Sequence, residues 1–220
     1  MTTMLVALSI CALMACKATP SSADTDSGAT AGLAKGGLSA ADPEAPPSTT
    51  PTDVPRADPI AGWLAYAGPG KAYTVKLPGS PEEATSDLPI GDIGVGTLTT
   101  AVAVSEDGKH IYATAVAEVR VSSGAVFDQG LAIKTAIDRT LANGSQDAAK
   151  DIVVGGIAGR EVTFRKTWGV PVTGTMRAFA ADHPPRLWMV TGAAAIGESK
   201  ADIQPFIDSF VPVAGPASAE

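Results

Sequence analysis

Between Lys17 and Pro59 the chain has no aromatic residue, and Leu33, Leu38 and Val54 are its only larger aliphatic side chains. Such a segment cannot bury enough apolar surface to offset the entropy lost on ordering. Any folded structure must be built beyond it, from Ile60 to Val213, roughly 150 residues and close to the commonest single-domain size. Pro43, Pro46, Pro47, Pro51, Pro55 and Pro59 favour extended, polyproline-like stretches. Residues 16–59 thus read as a disordered tether rich in Pro, Ala, Ser and Thr, with a root-mean-square span of about 35–40 Å that the prolines lengthen. Residues 60–213 read as one domain, without a second linker or internal repeat, and 214–220 as a flexible tail.

Within that domain, apolar residues recur mostly with a period of two. Tyr73, Val75 and Leu77 alternate with Thr74 and Lys76, and Pro78-Gly79 ends the strand. Thr97 to Val104 and His110 to Val119 are β-rich runs around Glu106-Asp107-Gly108-Lys109. Asp-Gly there suits a type I′ hairpin, with both central residues at positive φ. Val162 and Phe164 alternate with Glu161, Thr163 and Arg165, giving a half-buried strand entered through Gly155-Gly156-Ile157-Ala158-Gly159. Thr173 to Ala181 and Leu187 to Ala193 form two more strands across Asp182-His183-Pro184-Pro185. Connections this short imply antiparallel pairing.

Two stretches follow the helical period instead. Val126, Gly130, Ile133, Ile137 and Leu141 share one face, with Asp128 and Arg139 placed to suit the macrodipole and Asn143-Gly144 as a left-handed stop. Ile203, Phe206, Ile207 and Phe210 share a second face, and Ser199 with Asp202 resembles a capping box. Pro205 inside that helix would cost about 3 kcal/mol, so the helix either starts later than Ser199 or is kinked. The expected fold class is α+β: a central antiparallel β-sheet flanked by helices, preceded by the disordered linker.

The run Tyr73-Thr74-Val75-Lys76-Leu77-Pro78-Gly79-Ser80-Pro81 is followed by Gly156-Ile157-Ala158-Gly159-Arg160-Glu161. Arg186-Leu187-Trp188-Met189-Val190 and a closing Phe206-Ile207-Asp208-Ser209-Phe210 come later. This order resembles the small α+β domains of the PsbP/Mog-type family over nearly all of residues 63–213. The resemblance implies a sheet sandwiched by helices, usually without enzymatic activity and in several cases with a protein partner. It supplies no shared site residues to carry over.

Met4 to Met14 is apolar or small throughout, and the first sixteen residues carry no charge. Such a stretch rises only about 16 Å as a helix, against a hydrocarbon core of about 30 Å, too short to span but right for a signal peptide's apolar region. It ends in Leu13-Met14-Ala15-Cys16, which resembles the lipobox of a bacterial lipoprotein. Met1-Thr2-Thr3 departs from the signal pattern in lacking Lys and Arg. The resemblance implies that residues 1–15 are a lipoprotein signal peptide and that Cys16 is acylated with diacylglycerol and often a third chain, such as palmitate. Two or more chains hold a protein stably on a bilayer. Lys17, rather than Asp, after the cysteine favours the outer membrane. With Cys11 inside the signal, the mature chain has no intramolecular disulfide available.

Recognisable chemistry is sparse. His110 and His183 are the only histidines, and no His, Cys or Asp spacing announces a metal site. No Gly-x-Ser-x-Gly elbow accompanies the serines. Gly155-Gly156-x-x-Gly159 leads into a strand and reads as a β-turn, not a phosphate loop. Glu82-Glu83 and Glu106-Asp107 are acidic pairs assigned to turns. Arg160, Arg165, Lys166, Arg177 and Arg186 form either a basic patch or outward charges with carboxylate neighbours. Trp188 reads as core. Trp168, at a hairpin tip, is the candidate exposed aromatic anchor, with core packing as its alternative.

The expected function is a non-enzymatic envelope lipoprotein with no cofactor. Its partners would be the lipid bilayer, through Cys16, and an envelope protein of unknown identity. A net charge of −7 and the export signal disfavour nucleic acid. The rivals are a periplasmic small-ligand binding module and a hydrolase whose site is assembled only in space.

Overall fold

The computed structural model describes residues 59–89 and 94–215. The expected signal peptide, Cys16, the expected tether up to residue 58 and the part of the expected tail from 216 lie outside the described residues. Ten strands and two helices run through the described residues in chain order. They are β1 (Leu64–Ala67), β2 (Tyr73–Leu77), β3 (Glu82–Pro89), β4 (Gly94–Val104), β5 (His110–Val121), α1 (Gln129–Thr140), β6 (Ser145–Val154), β7 (Ile157–Trp168), β8 (Val170–Asp182), β9 (Pro185–Ala195), α2 (Ile203–Ser209) and β10 (Val211–Pro212).

Seven strands form one antiparallel sheet in the order β3-β4-β5-β9-β8-β7-β6. Its logic is two meanders joined side by side. The first, β3-β4-β5, ends where α1 carries the chain across the sheet to the far edge. From β6, three consecutive hairpins bring the chain back until β9 pairs with β5. A smaller antiparallel sheet, β1-β2-β10, is separate from the first.

Alternation divides the large sheet into two faces. Tyr112, Val116, Phe179, Trp188 and Val190 point to one face and pack with Tyr73, Val75 and Leu77 of β2 and with Phe206 and Ile207 of α2. Leu98, Ala115, Val162, Phe164, Met176 and Met189 point to the other, beneath Ile137 of α1 and Leu141 just after it. The expected helix-flanked sheet is therefore met in part: α1 covers some of one face, while the other is shared between α2 and the small sheet. Buried hydrogen bonds fix that second layer. Trp188 Nε1 donates to the Ala72 carbonyl at 2.9 Å, and the Tyr73 hydroxyl lies 2.7 Å from Thr114 Oγ1. Apolar packing supplies the attraction; these bonds set the registry, since a buried polar group left unpaired is costly.

Several local expectations change. The Asp107-Gly108 turn is not type I′: of the two, only Gly108 has positive φ, and its N–H closes the turn onto the Ser105 carbonyl. The two-residue type I′ geometry belongs instead to Gly155 (φ +59°) and Gly156 (φ +81°), between the paired Val154 and Ile157. Glu82 and Glu83 are not in a turn but open β3. In α1, Asp128 caps the N-terminus by accepting from Leu131 N–H, so Val126 precedes the helix and is exposed. Asn143 takes the left-handed stop at φ +64°. α2 begins at Ile203, which places Pro205 in its first turn, where a missing N–H breaks no helical bond. Ser199 and Asp202 do not form a capping box: Ser199 Oγ accepts from Ala201 N–H, and the Asp202 carboxylate accepts from the Tyr112 hydroxyl.

Both edges of the large sheet are guarded against pairing with another chain. β3 exposes Glu82, Glu83 and Asp87. β6 carries Asp147, Lys150 and Asp151 and a register shift between Gln146 and Ala148.

Candidate functional site

A large concavity among the described residues follows from the size of α1. At twelve residues it packs mainly across β8 and leaves the β6–β7 hairpin uncovered on the same face. The result is an open groove of about 810 Å³. Ile133 and Ile137 of α1 line one wall; Val153 and Ala158, cross-strand partners in the hairpin, line the other. Val153 is 70% exposed. The rim is charged but internally neutral. Lys134 meets Asp138 at 2.5 Å, and Arg160 meets Asp151 at 3.5 Å across the β6–β7 pair.

Trp168 lies elsewhere on this face. It ends β7 half-buried, its ring centroid 5.7 Å from that of Phe164 and its Nε1 buried without a hydrogen-bond partner. Lys166 Nζ sits 5.9 Å from the Trp168 ring and donates to the Thr140 carbonyl at 2.5 Å. Burial pushes the Lys166 ammonium pKa down. That cation neutralises the carbonyl end of α1 from below.

The five basic residues do not gather into a free patch. Arg160 meets Asp151, Arg165 meets Asp147, Arg186 meets Glu118, and Arg177 meets both Glu161 and Asp208. Lys166 is the exception, spent on the helix end. Carboxylate neighbours thus account for four of the five, although Arg177 points inward and is only 11% exposed.

His110 Nε2 lies 2.7 Å from the Ser199 carbonyl, with Asp107 at 4.0 Å from its other nitrogen. His183 is exposed beside Asp182. The two histidines belong to different turns, and no group of three His, Cys, Asp or Glu side chains able to hold a metal occurs among the described residues. No described helix is long and apolar enough to cross a membrane.

No protein-family model matches the chain, and no curated protein matches it. Among solved structures it is similar to the cyanobacterial PsbP protein (CyanoP) of Synechocystis sp. PCC 6803. That match has a TM-score of 0.43 and 10% identity over 68% of this chain and 92% of that one. A Bacteroides thetaiotaomicron protein is similar at TM-score 0.36 and 12% identity, over 68% of this chain and 48% of its own. The Pseudomonas aeruginosa protein of unknown function PA94 is similar at TM-score 0.33 and 11% identity, over 66% and 92%. At scores this low, none of the three places the chain in a family.

Sequence reasoning missed the groove because two of its walls lacked a signal. Val153 lies in β6, whose sequence shows no alternation, and Ile133 was legible only as core. The one available hint was Asp151-Ile152-Val153-Val154 running into Gly155-Gly156, a short apolar run before a turn.

Proposed function

We propose that this chain is an envelope lipoprotein, lipid-anchored through Cys16. Its PsbP/Mog-type domain works without catalysis by holding an extended, largely apolar segment of another envelope protein in the groove beside α1. The observation that carries the reading is the groove itself: Ile133, Ile137, Val153 and Ala158 offer apolar walls at an open concavity of about 810 Å³. Its rim charges are already paired with one another, which suits a neutral segment better than a phosphate or nucleic acid. An apolar centre within a polar rim is the usual anatomy of a protein interface.

Leu13-Met14-Ala15-Cys16 supports the anchor, and Lys17 supports the outer membrane as its address. The low-aromatic segment after Cys16 would let the domain sweep the nearby envelope surface at high effective concentration. Labelled palmitate and membrane fractionation test this directly. The wild type should take up label and sediment with membranes, and Cys16→Ser should do neither. A Cys16→Ser protein that stays membrane-bound, beside a wild type that takes up no label, would overturn the anchor.

A further inference from the structure

The groove beside α1 has polar ends as well as apolar walls. Gln129, the first residue of α1, and Gln146, near the start of β6, both line it. α1 ends at Thr140 and β6 begins at Ser145, so β6 runs back along the helix and the two glutamines stand at opposite ends. Neither side-chain amide has a hydrogen-bond partner among the described residues. Both are therefore available to a guest without breaking any internal bond.

The spacing of the walls suits an extended chain. From Gln129 to Asp138 the helix rises about 13 Å, and from Gln146 to Val153 the strand spans roughly 23 Å, which suits about five extended residues. Ile133 and Ile137 lie one turn apart, a rise of about 6 Å, close to the roughly 6.6 Å between alternate residues of an extended segment. Successive inward side chains would meet Ile133 and Ile137 in turn, with Val153 and Ala158 on the other wall. Backbone lying on the face of a sheet finds no ladder to join, and its N–H and C=O groups need other partners. A glutamine amide both donates and accepts, so it can serve either group. The rim charges are already matched, Lys134 with Asp138 and Arg160 with Asp151. A charged side chain on the guest would lose water there and gain no partner.

We propose that the groove selects an uncharged extended segment of about five residues with apolar side chains at alternate positions. Gln129 holds the segment's backbone at one end and Gln146 at the other. This specificity rests on the protein-binding reading of the groove, and adds to it the pattern of the segment and the two residues that grip its backbone.

The test is fluorescence anisotropy with the full chain and three labelled peptides. They are fluorescein-Ser-Leu-Ser-Leu-Ser-Leu-amide, its isomer with the leucines in one block, and a version with Glu in place of Ser. The alternating peptide should bind at least tenfold more tightly than either of the others. Gln129→Ala and Gln146→Ala should each weaken it about threefold or more, and the double variant at least tenfold, with circular dichroism unchanged. Ala158→Arg should abolish binding. Equal binding of the alternating and block peptides, lost in Ala158→Arg, would overturn the pattern and leave the groove reading standing. Unchanged affinity in the double glutamine variant would overturn the grip on the backbone. No binding of any peptide would overturn the proposal outright, and the groove reading would fall with it only if crosslinking from position 153 also gave no adduct.

Discussion

Arg177 and Glu161, opposite one another on β8 and β7, meet at 2.6 Å with their side chains only 11% and 7% exposed. The same guanidinium donates to the Ile207 carbonyl at 3.2 Å and to Asp208 at 2.6 Å, so it ties the carboxylate to the end of α2. Lys166 does the equivalent on the opposite face, reaching the Thr140 carbonyl at the end of α1. Each helix is thus fastened to the sheet by one cation at its negative end.

Removing one partner of such a pair strands the other. Arg177→Met should lower unfolding stability by about 3–5 kcal/mol in urea melts. Arg177→Lys should recover little of it, because the ammonium cannot serve Glu161, Ile207 and Asp208 together. A loss under about 1 kcal/mol, the worth of an exposed pair, would contradict the fastening role.

The pair also sets an acid limit. Burial pushes the Glu161 carboxyl up, but hydrogen bonds and charge from Lys150 and Arg177 outweigh it and hold it below its ordinary 4.5. With the folded value depressed, the unfolded chain takes up the proton first. This stabilisation is full above about pH 4.5 and is lost as pH falls through the folded value. Glu161→Gln should flatten the fall in melting temperature over that acid range. An unchanged acid profile in Glu161→Gln would assign the loss to other groups.

The alkaline side rests on tyrosines. Burial pushes the phenol pKa values of Tyr66, Tyr73 and Tyr112 all up, with Glu83 reinforcing the effect at Tyr66 and Asp202 at Tyr112. The unfolded chain ionises first, near pH 10, so their contribution is full below that pH and falls above it. Absorbance titration should show no phenolate until the far-ultraviolet dichroism collapses. A tyrosine that ionises near pH 10 in the folded chain would contradict the burial that raises these three phenols.

Much of the fold was legible because it obeys simple periods. Val162 and Phe164 alternate in sequence and are fully buried in the structure, and the α1 stripe of Ile133, Ile137 and Leu141 does face the sheet. β3 and β6 were not legible. As edge strands with little buried surface and many charges, they carry no apolar alternation, and the β6 register shift breaks its parity. The groove depends on β6, so it was hidden with it.

Gly159 reports on how closely the strands approach beside the groove. A Cβ there would lie 2.4 Å from Phe179 Cδ1 and 2.5 Å from the Ala178 carbonyl. Gly159→Ala should destabilise by about 1–3 kcal/mol through overpacking, read as a lower melting temperature. A neutral result would mean that β7 and β8 can separate without penalty.

The charges on β3 should matter for association more than for stability. Replacing exposed Glu82 and Asp87 together by Val should change unfolding free energy by no more than about 0.5 kcal/mol per site. It should nonetheless raise light scattering on storage, because an uncharged edge invites pairing. Unchanged scattering would show that these charges do not guard the edge.

The groove is tested most directly by photo-crosslinking from position 153 in the full chain, with exposed Leu64 on the small sheet as the control position. The account predicts a discrete protein adduct from position 153, absent from position 64 and lost when Ala158→Arg fills the groove. No adduct from position 153, or the same adducts from both positions, would contradict it.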